Sequence, residues 1–166
     1  TFTENMAAQA KKEEWEGFIL RQAEDTITFT MNGKPKRKGA YKFKFIETTD
    51  CIVTRVCPGS GKHEVRFARF RLGQYEKSPF FDEPVLVDCG WAGGGRLGEE
   101  NMDNLTSELI QKGYTLEDSQ LNENDWFAVE LEYQSRQERN DKGQLCFEFP
   151  IIIRTRDDKP LNECEV

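Results

Sequence analysis

Apolar residues in this chain come in short runs closed by turn-forming residues, and only one stretch sustains a long helical period. That pattern excludes alternating strand–helix units and asks for a mainly β fold of antiparallel hairpins. Trp15–Leu20 and Thr26–Met31 read as strands, the second followed by Asn32-Gly33, a strong hairpin-turn signal. Ala40–Ile46 alternates strictly, with Tyr41, Phe43 and Phe45 on one face and Lys42 and Lys44 on the other. Cys51–Cys57, Glu64–Leu72, Pro84–Cys89, Trp126–Tyr133 and Leu145–Arg154 read as further strands. Pro58-Gly59-Ser60-Gly61 turns the first of these into the second, and Trp91–Gly98 is a glycine loop. The helical stretch, Glu99–Lys112, puts Met102, Leu105, Leu109 and Ile110 on one face, with acids in its first turn and Gly113 after its last. Residues 4–13 are polar and helix-permissive, and residues 135–144 form a polar turn containing Asp141-Lys142-Gly143.

Five strands with a helix between the third and fourth is the order of an OB-type barrel. The expected architecture is therefore a five-stranded OB-type antiparallel barrel with one helix over residues 48–166, preceded by a β-rich fragment over residues 1–47. The boundary falls near Ile46–Asp50. A length of 166 residues suits one domain plus part of another.

Net charge is −7, which argues against nucleic acid until its distribution is considered. Residues 34–71 carry 11 basic and 3 acidic side chains, a net of +8, whereas residues 72–149 carry 6 basic and 17 acidic, a net of −11. A chain polarised in this way can offer phosphates one basic strip. The plainer reading is that both runs are solvated faces. No apolar run approaches the roughly 20 residues that span a bilayer, so no membrane partner is expected. Residues 1–12 lack the apolar stretch of a signal peptide. The five cysteines, at 51, 57, 89, 146 and 164, form no C-x-x-C pair, so reduced thiols in an intracellular protein are expected.

Two glycine motifs carry little. Gly93-x-Gly95-x-x-Gly98 follows a strand and precedes a helix as a dinucleotide fingerprint does, but its neighbours are hairpins. Pro58-Gly59-Ser60-Gly61-Lys62-His63 has Val56 where a phosphate loop needs its first glycine and His63 where it needs Ser or Thr. It reads as a hairpin turn from which Lys62 can touch a phosphate. His63, the lone histidine, reads as a surface residue.

A series of three segments is stronger by its order and spacing. Glu16-Gly17 opens an apolar strand ending at Arg21. Lys36-Arg37-Lys38-Gly39 leads into Tyr41-Lys42-Phe43-Lys44, and the last strand runs from Phe149-Pro150 to Arg156-Asp157-Asp158-Lys159. These resemble, in the same order, the fourth, fifth and sixth motifs of ATP-dependent DNA ligases, members of the covalent nucleotidyltransferase superfamily. The resemblance runs from about Lys12 to Glu163. It implies that residues 1–47 end a nucleotidyltransferase (adenylation) lobe and that the barrel is the ligase OB domain.

The chemistry implied is a chain of three transfers. A lysine attacks ATP to give a lysyl-adenylate, AMP passes to a 5′-phosphate at a nick, and the 3′-hydroxyl displaces AMP. Positioning and charge neutralisation carry most of such catalysis. The resemblance assigns Glu16 to a divalent metal, Mg2+, and Glu16, Arg21, Lys42, Lys44 and Asp158 to the nucleotide. Lys42 and Lys44 would meet the α-phosphate, and Arg156 and Lys159 would act in the first transfer, with Asp158 orienting Arg156. Lys36, Arg37, Lys38, Lys62, Arg66, Arg69 and Arg71 are the expected contacts to nicked duplex DNA. Closure of the barrel domain would hinge near residues 46–50.

Tyr41 stands where the family usually has Trp, a mild exchange between amphipathic aromatics. The nucleophile motif K-x-D-G and the adenine- and ribose-binding motifs occur nowhere in the chain. It is therefore not expected to adenylylate itself, and an N-terminal catalytic lobe is an expected partner of an otherwise monomeric protein. Plainer readings exist: lysines on an edge strand block aggregation, and terminal arginines are often solvated. Two other functions remain open, an OB-type DNA-binding module without chemistry and part of an mRNA-capping guanylyltransferase or RNA ligase.

Overall fold

The computed structural model describes all residues except 1, 14, 24–26, 30, 34, 38, 79, 81–82 and 137–143. Two compact units result, Thr1–Phe45 and Ile46–Val166. Among the described residues no helix is long and apolar enough to cross a membrane.

The first unit begins with helix α1 (Phe2–Lys12), followed by strands β1 (Gly17–Arg21), β2 (Ile27–Phe29), β3 (Pro35–Arg37) and β4 (Ala40–Lys44). β1 and β4 form one antiparallel ladder, β2 and β3 another. Gly33 turns the second hairpin at φ 71°, a conformation glycine adopts freely. At Gly17 the constraint is contact, since a Cβ there would stand 2.0 Å from the carbonyl oxygen of Phe43. Glycine after Glu16 is what lets β4 lie against β1.

The second unit contains β5 (Glu47–Pro58), β6 (Phe67–Glu76), β7 (Val85–Gly93), α2 (Glu99–Gln111), β8 (Ser119–Gln120), β9 (Phe127–Tyr133) and β10 (Ile151–Thr155). The pairings β5–β6–β7–β10–β9–β5 return to their starting strand, with the short β8 added to β5. All are antiparallel except one, since β10 runs parallel to β7 where Ile151 meets Gly93. The expected purely antiparallel arrangement fails at this point for a reason of parity. Around a closed ring, antiparallel neighbours must alternate in direction, which an odd number of strands cannot do, so one of the five contacts must be parallel. Among the described residues the sheet is thus mixed and six-stranded, the second unit has the one expected α-helix, and α1 covers the helix-permissive residues near the amino terminus.

Strand alternation fills the ring. Val53, Phe70, Leu72, Val129, Leu131 and Ile152 are all essentially buried and pack in one cluster. Helix α2 joins that cluster through Met102, Leu105 and Leu109. The fourth inward position is Thr106 rather than the expected Ile110, which is 49% exposed. Positions 102, 105, 106 and 109 follow the three-then-four spacing of one helical face. The Thr106 hydroxyl accepts from the Phe67 N–H (2.9 Å) and donates to the Met102 carbonyl (2.6 Å), fastening α2 to β6.

A second, smaller cluster unites Ile52, Ala128 and Cys164, with Tyr75, Leu86 and Leu161 against it. The carboxyl-terminal segment reaches this cluster by pairing with β6: Tyr75 donates to the Cys164 carbonyl (2.7 Å) and accepts from the Val166 N–H (3.0 Å). None of the five cysteines, all among the described residues, is in a disulfide, and burial pushes the Cys89 and Cys164 thiols up to about 12 and about 11.

The last strand is shorter than its apolar pattern predicts. Leu145 and Phe147 are buried, yet strand pairing of β10 begins only at Ile151. Phe149 adopts φ 51° and is 69% exposed, and Pro150 has no N–H to give a ladder.

Candidate active site

In the first unit, the β1–β4 register pairs Gly17 with Lys44, Ile19 with Lys42, and Arg21 with Ala40. Residues paired across an antiparallel ladder share a face. Arg21, Lys42 and Lys44 therefore lie on one side, and all three are exposed. On the opposite side Phe18 stacks on Phe43, with ring centroids 5.0 Å apart and 15° between planes, and meets Phe45 at 6.4 Å. The aromatic face fixes the strand, and the strand fixes the spacing of the cations. Glu16 is exposed just before β1, its carbonyl accepting from the Phe45 N–H at 3.3 Å. Lys36 and Arg37 belong to β3, whose side chains, like the whole of Lys38, lie outside the described residues.

In the second unit, the cations at the end of β10 are aimed by a β-bulge. Ile152 pairs with Leu131 and Arg154 with Glu130, leaving Ile153 as the extra residue. Without it Arg154 would point inward like Ile152. With it, Arg154 and then Arg156 face out. The Arg154 Nε donates to Glu130 at 2.6 Å.

The Arg156 guanidinium is gripped on two edges. Its Nε and Nη2 donate to the Asp158 carboxylate at 2.9 and 3.0 Å, and its Nη1 donates to Asp50 Oδ1 at 2.9 Å. The other Asp50 oxygen lies 3.6 Å from Lys159 Nζ, which also pairs with Glu163 at 3.4 Å. The bond to Asp158, then the Asp50 charge, holds the already high pKa of Arg156 higher still, and the same bond holds the Asp158 carboxyl below its usual range. The structure thus brings Arg156, Asp158 and Lys159 together, and adds Asp50 on β5. No local sequence signal marks Asp50, which lies 106 residues before Arg156 and is recognisable only once β5 and β9 are paired.

The basic residues of the β5–β6 connection and of β6 separate into two groups. Lys62 pairs with Glu99 at 2.7 Å, and Arg66 pairs with Asp103 at 2.8 Å and Glu99 at 3.4 Å. Both thus fasten the first turn of α2, and the Arg66 side chain is only 12% exposed. Arg69 and Arg71 instead flank the Trp91 ring, their guanidinium carbons 5.2 and 5.7 Å from its centroid. Trp91 escaped the sequence reading, although an aromatic set among glycines at a strand end is the available signal. Arg71 also bonds the Asp88 carboxylate. Burial by itself raises the Asp88 pKa, but hydrogen bonds from Arg71, the Gly90 N–H and Gln144 outweigh it and hold the group low.

No family model matches the chain, and no curated protein matches it. Solved structures do. One, Pmar-Lig_Pre, superposes with a TM-score of 0.58 at 15% identity over 93% of this chain and 31% of its own. The ligase domain from M. tuberculosis LigD superposes with a TM-score of 0.50 at 19% identity over 96% of this chain and 50% of its own. The chain spans about a third of the first structure and half of the second. Almost its entire length therefore has the fold of part of a DNA ligase's ligase domain, as the C-terminal part of such an enzyme would.

Proposed function

We propose that this chain is the phosphate-orienting and DNA-gripping part of an ATP-dependent DNA ligase that seals nicks through lysyl-AMP and DNA-adenylate intermediates. The observation that carries this is the β1–β4 register. It sets Arg21, Lys42 and Lys44 on one exposed face at the spacing of two strand residues, in a chain with a ligase fold. Lysine ammonium groups are mobile point charges, suited to a phosphate whose geometry changes during transfer.

In this reading the closed five-strand ring is an OB-type barrel, and it and the first unit move about the residues that join them. Lys42 and Lys44 neutralise the α-phosphate, Arg21 and Asp158 help bind the nucleotide, and Arg156 and Lys159 orient the departing pyrophosphate. Glu16 is a hard oxygen donor at an exposed strand start. This fits a Mg2+ that takes one carboxylate and completes its shell with water and phosphate oxygens. Among the described residues no group of three or more His, Cys, Asp or Glu forms a cage made by protein alone. Mg2+ would supply charge neutralisation of the phosphates. The nucleophilic lysine comes from an N-terminal lobe carrying K-x-D-G, and the protein works as a monomer inside the cell.

The experiment joins the chain to the sequence encoded upstream of Thr1 and supplies ATP labelled at the α-phosphate. The expected result is a labelled lysine, chased into DNA by a nicked duplex. No label from ATP would sink the reading, and label from GTP alone would favour a capping guanylyltransferase.

A second reading, a DNA-binding barrel without chemistry, draws on Arg69, Arg71 and Trp91, since a cation-flanked aromatic suits base stacking beside a phosphate backbone. It predicts binding that weakens steeply with salt in the absence of any labelled lysine.

A further inference from the structure

Asp50 sits opposite Glu130 in the β5–β9 ladder, and Glu130 sits opposite Arg154 in the β9–β10 ladder. Two carboxylates are thus direct cross-strand neighbours, an arrangement that repels unless cations intervene. Arg154 serves Glu130. Asp50 is served by two cations from the turn after β10, Arg156 through one carboxylate oxygen and Lys159 through the other. The carboxylate itself cannot wander. Its side chain is 19% exposed on a strand whose next residue, Cys51, is fully buried, and its carbonyl accepts from the buried Gln74 amide at 2.8 Å. The turn is tied independently, since the Arg156 N–H donates to the Ala128 carbonyl at 2.8 Å and the Lys159 N–H to the Arg156 carbonyl at 3.1 Å. Backbone bonds fix where the turn lies, and Asp50 fixes where its two long side chains end.

We propose that Asp50 is a positioning residue that sets the separation and direction of Arg156 and Lys159. Asp158 cannot do this alone, because it lies on the same turn and moves with Arg156. Asp50, anchored in the barrel wall, gives both cations a common external reference. The use of that alignment in the first nucleotidyl transfer rests on the ligase reading.

The test is Asp50→Asn, nearly isosteric and without charge, so it also removes the repulsion from Glu130. The first readout needs only this chain: solvent exchange, by NMR, of the Arg156 Nη1 hydrogens, which donate to Asp50 and should exchange faster in Asp50→Asn. The second uses the chain joined to its N-terminal lobe. Formation of the labelled lysine from ATP should fall about 10- to 100-fold, the scale of a reacting group misplaced by an ångström or so. Sealing of a nick that is already adenylylated should fall less, and Asp50→Asn should cost little further when Arg156→Ala is already present. Unchanged Arg156 exchange, equal losses in both steps, or additivity with Arg156→Ala would each overturn the inference. If the unsubstituted joined protein forms no labelled lysine, the ligase reading falls, and the exchange measurement still decides whether Asp50 positions Arg156. Should Asp50→Asn lose the fold, Asp50→Glu carries the same tests, because it keeps the charge but displaces both cations by a methylene.

Discussion

Individual side chains in this protein are worth what their partners make them. Asp88 shows it: burial opposes its charge, yet Arg71, the Gly90 N–H and Gln144 together hold its pKa below the usual value. A carboxyl depressed in the folded state contributes stability that is fully present above its unfolded pKa of about 3.9 and is lost as pH falls through the lower folded value. Asp88→Asn should therefore reduce stability at pH 7 and flatten its decline below about pH 4. Urea unfolding at pH 7 and pH 3 checks this, and an unchanged acid slope would show that Asp88 is not the titrating group. Gly17 has the opposite character, since it matters by what it lacks. Gly17→Ala drives a methyl group into the Phe43 carbonyl, so the β1–β4 ladder should loosen by more than about 1 kcal/mol. Faster amide exchange at Phe18 and Phe43, with amides of the second unit unaffected, is the expected signature.

At the scale of elements, the sequence showed periods but not partners. Alternation located β4, turn-bounded runs located β9 and the middles of β5 and β6 but not their ends, and the helical period located α2. Which strands are neighbours, and in which direction, is decided by closing the ring, so the parallel β7–β10 contact could not be read from the pattern. Leu145, Phe147 and Phe149 alternate as a strand should, but the first two are buried by a non-strand backbone and the third is turned out at φ 51°. Lys62 and Arg66, expected contacts to DNA, also pair with acids that no local sequence signal shows, because a sequence shows charge without its spatial partner. Glu99 stands 37 residues after Lys62. The Thr106 bond to β6 was equally invisible, and it gives α2 a specific prediction. Thr106→Val keeps the shape but strands the buried Phe67 N–H, which should cost about 1–3 kcal/mol. Glu99→Gln at the exposed start of the same helix should cost less than Thr106→Val, because the Glu99 carboxylate is half exposed and screened by solvent. Denaturant midpoints for the two variants rank these bonds directly, and a reversed order would contradict the account.

On the scale of the whole molecule, the sequence conveyed the site as an ordered set of residue types rather than as a geometry. The face carrying Lys42 and Lys44 was legible because strand period two dictates it. The Arg156–Asp158 pairing was legible through resemblance, and the Asp50 reference point was not legible at all. Charge polarity also changed meaning, since part of the basic run is consumed in fastening α2. Arg69 and Arg71 flank Trp91, and of these two Arg71 is itself paired with Asp88. Arg69→Ala should accordingly weaken DNA binding and lower the slope of log affinity against log salt by about 1, the loss of one phosphate neutralised.

In the proposed function Lys42 and Lys44 act on a phosphate undergoing transfer. Nick sealing by the chain joined to the sequence encoded upstream of Thr1 tests this, comparing the unsubstituted protein with Lys42→Ala and Lys44→Ala while circular dichroism monitors the fold. Sealing should fall by about 100- to 1,000-fold in each variant with the fold intact, the effect of removing one preorganised charge from a transfer site. Sealing at near the original rate in both would return these lysines to the role of a solvated strand face and contradict the account.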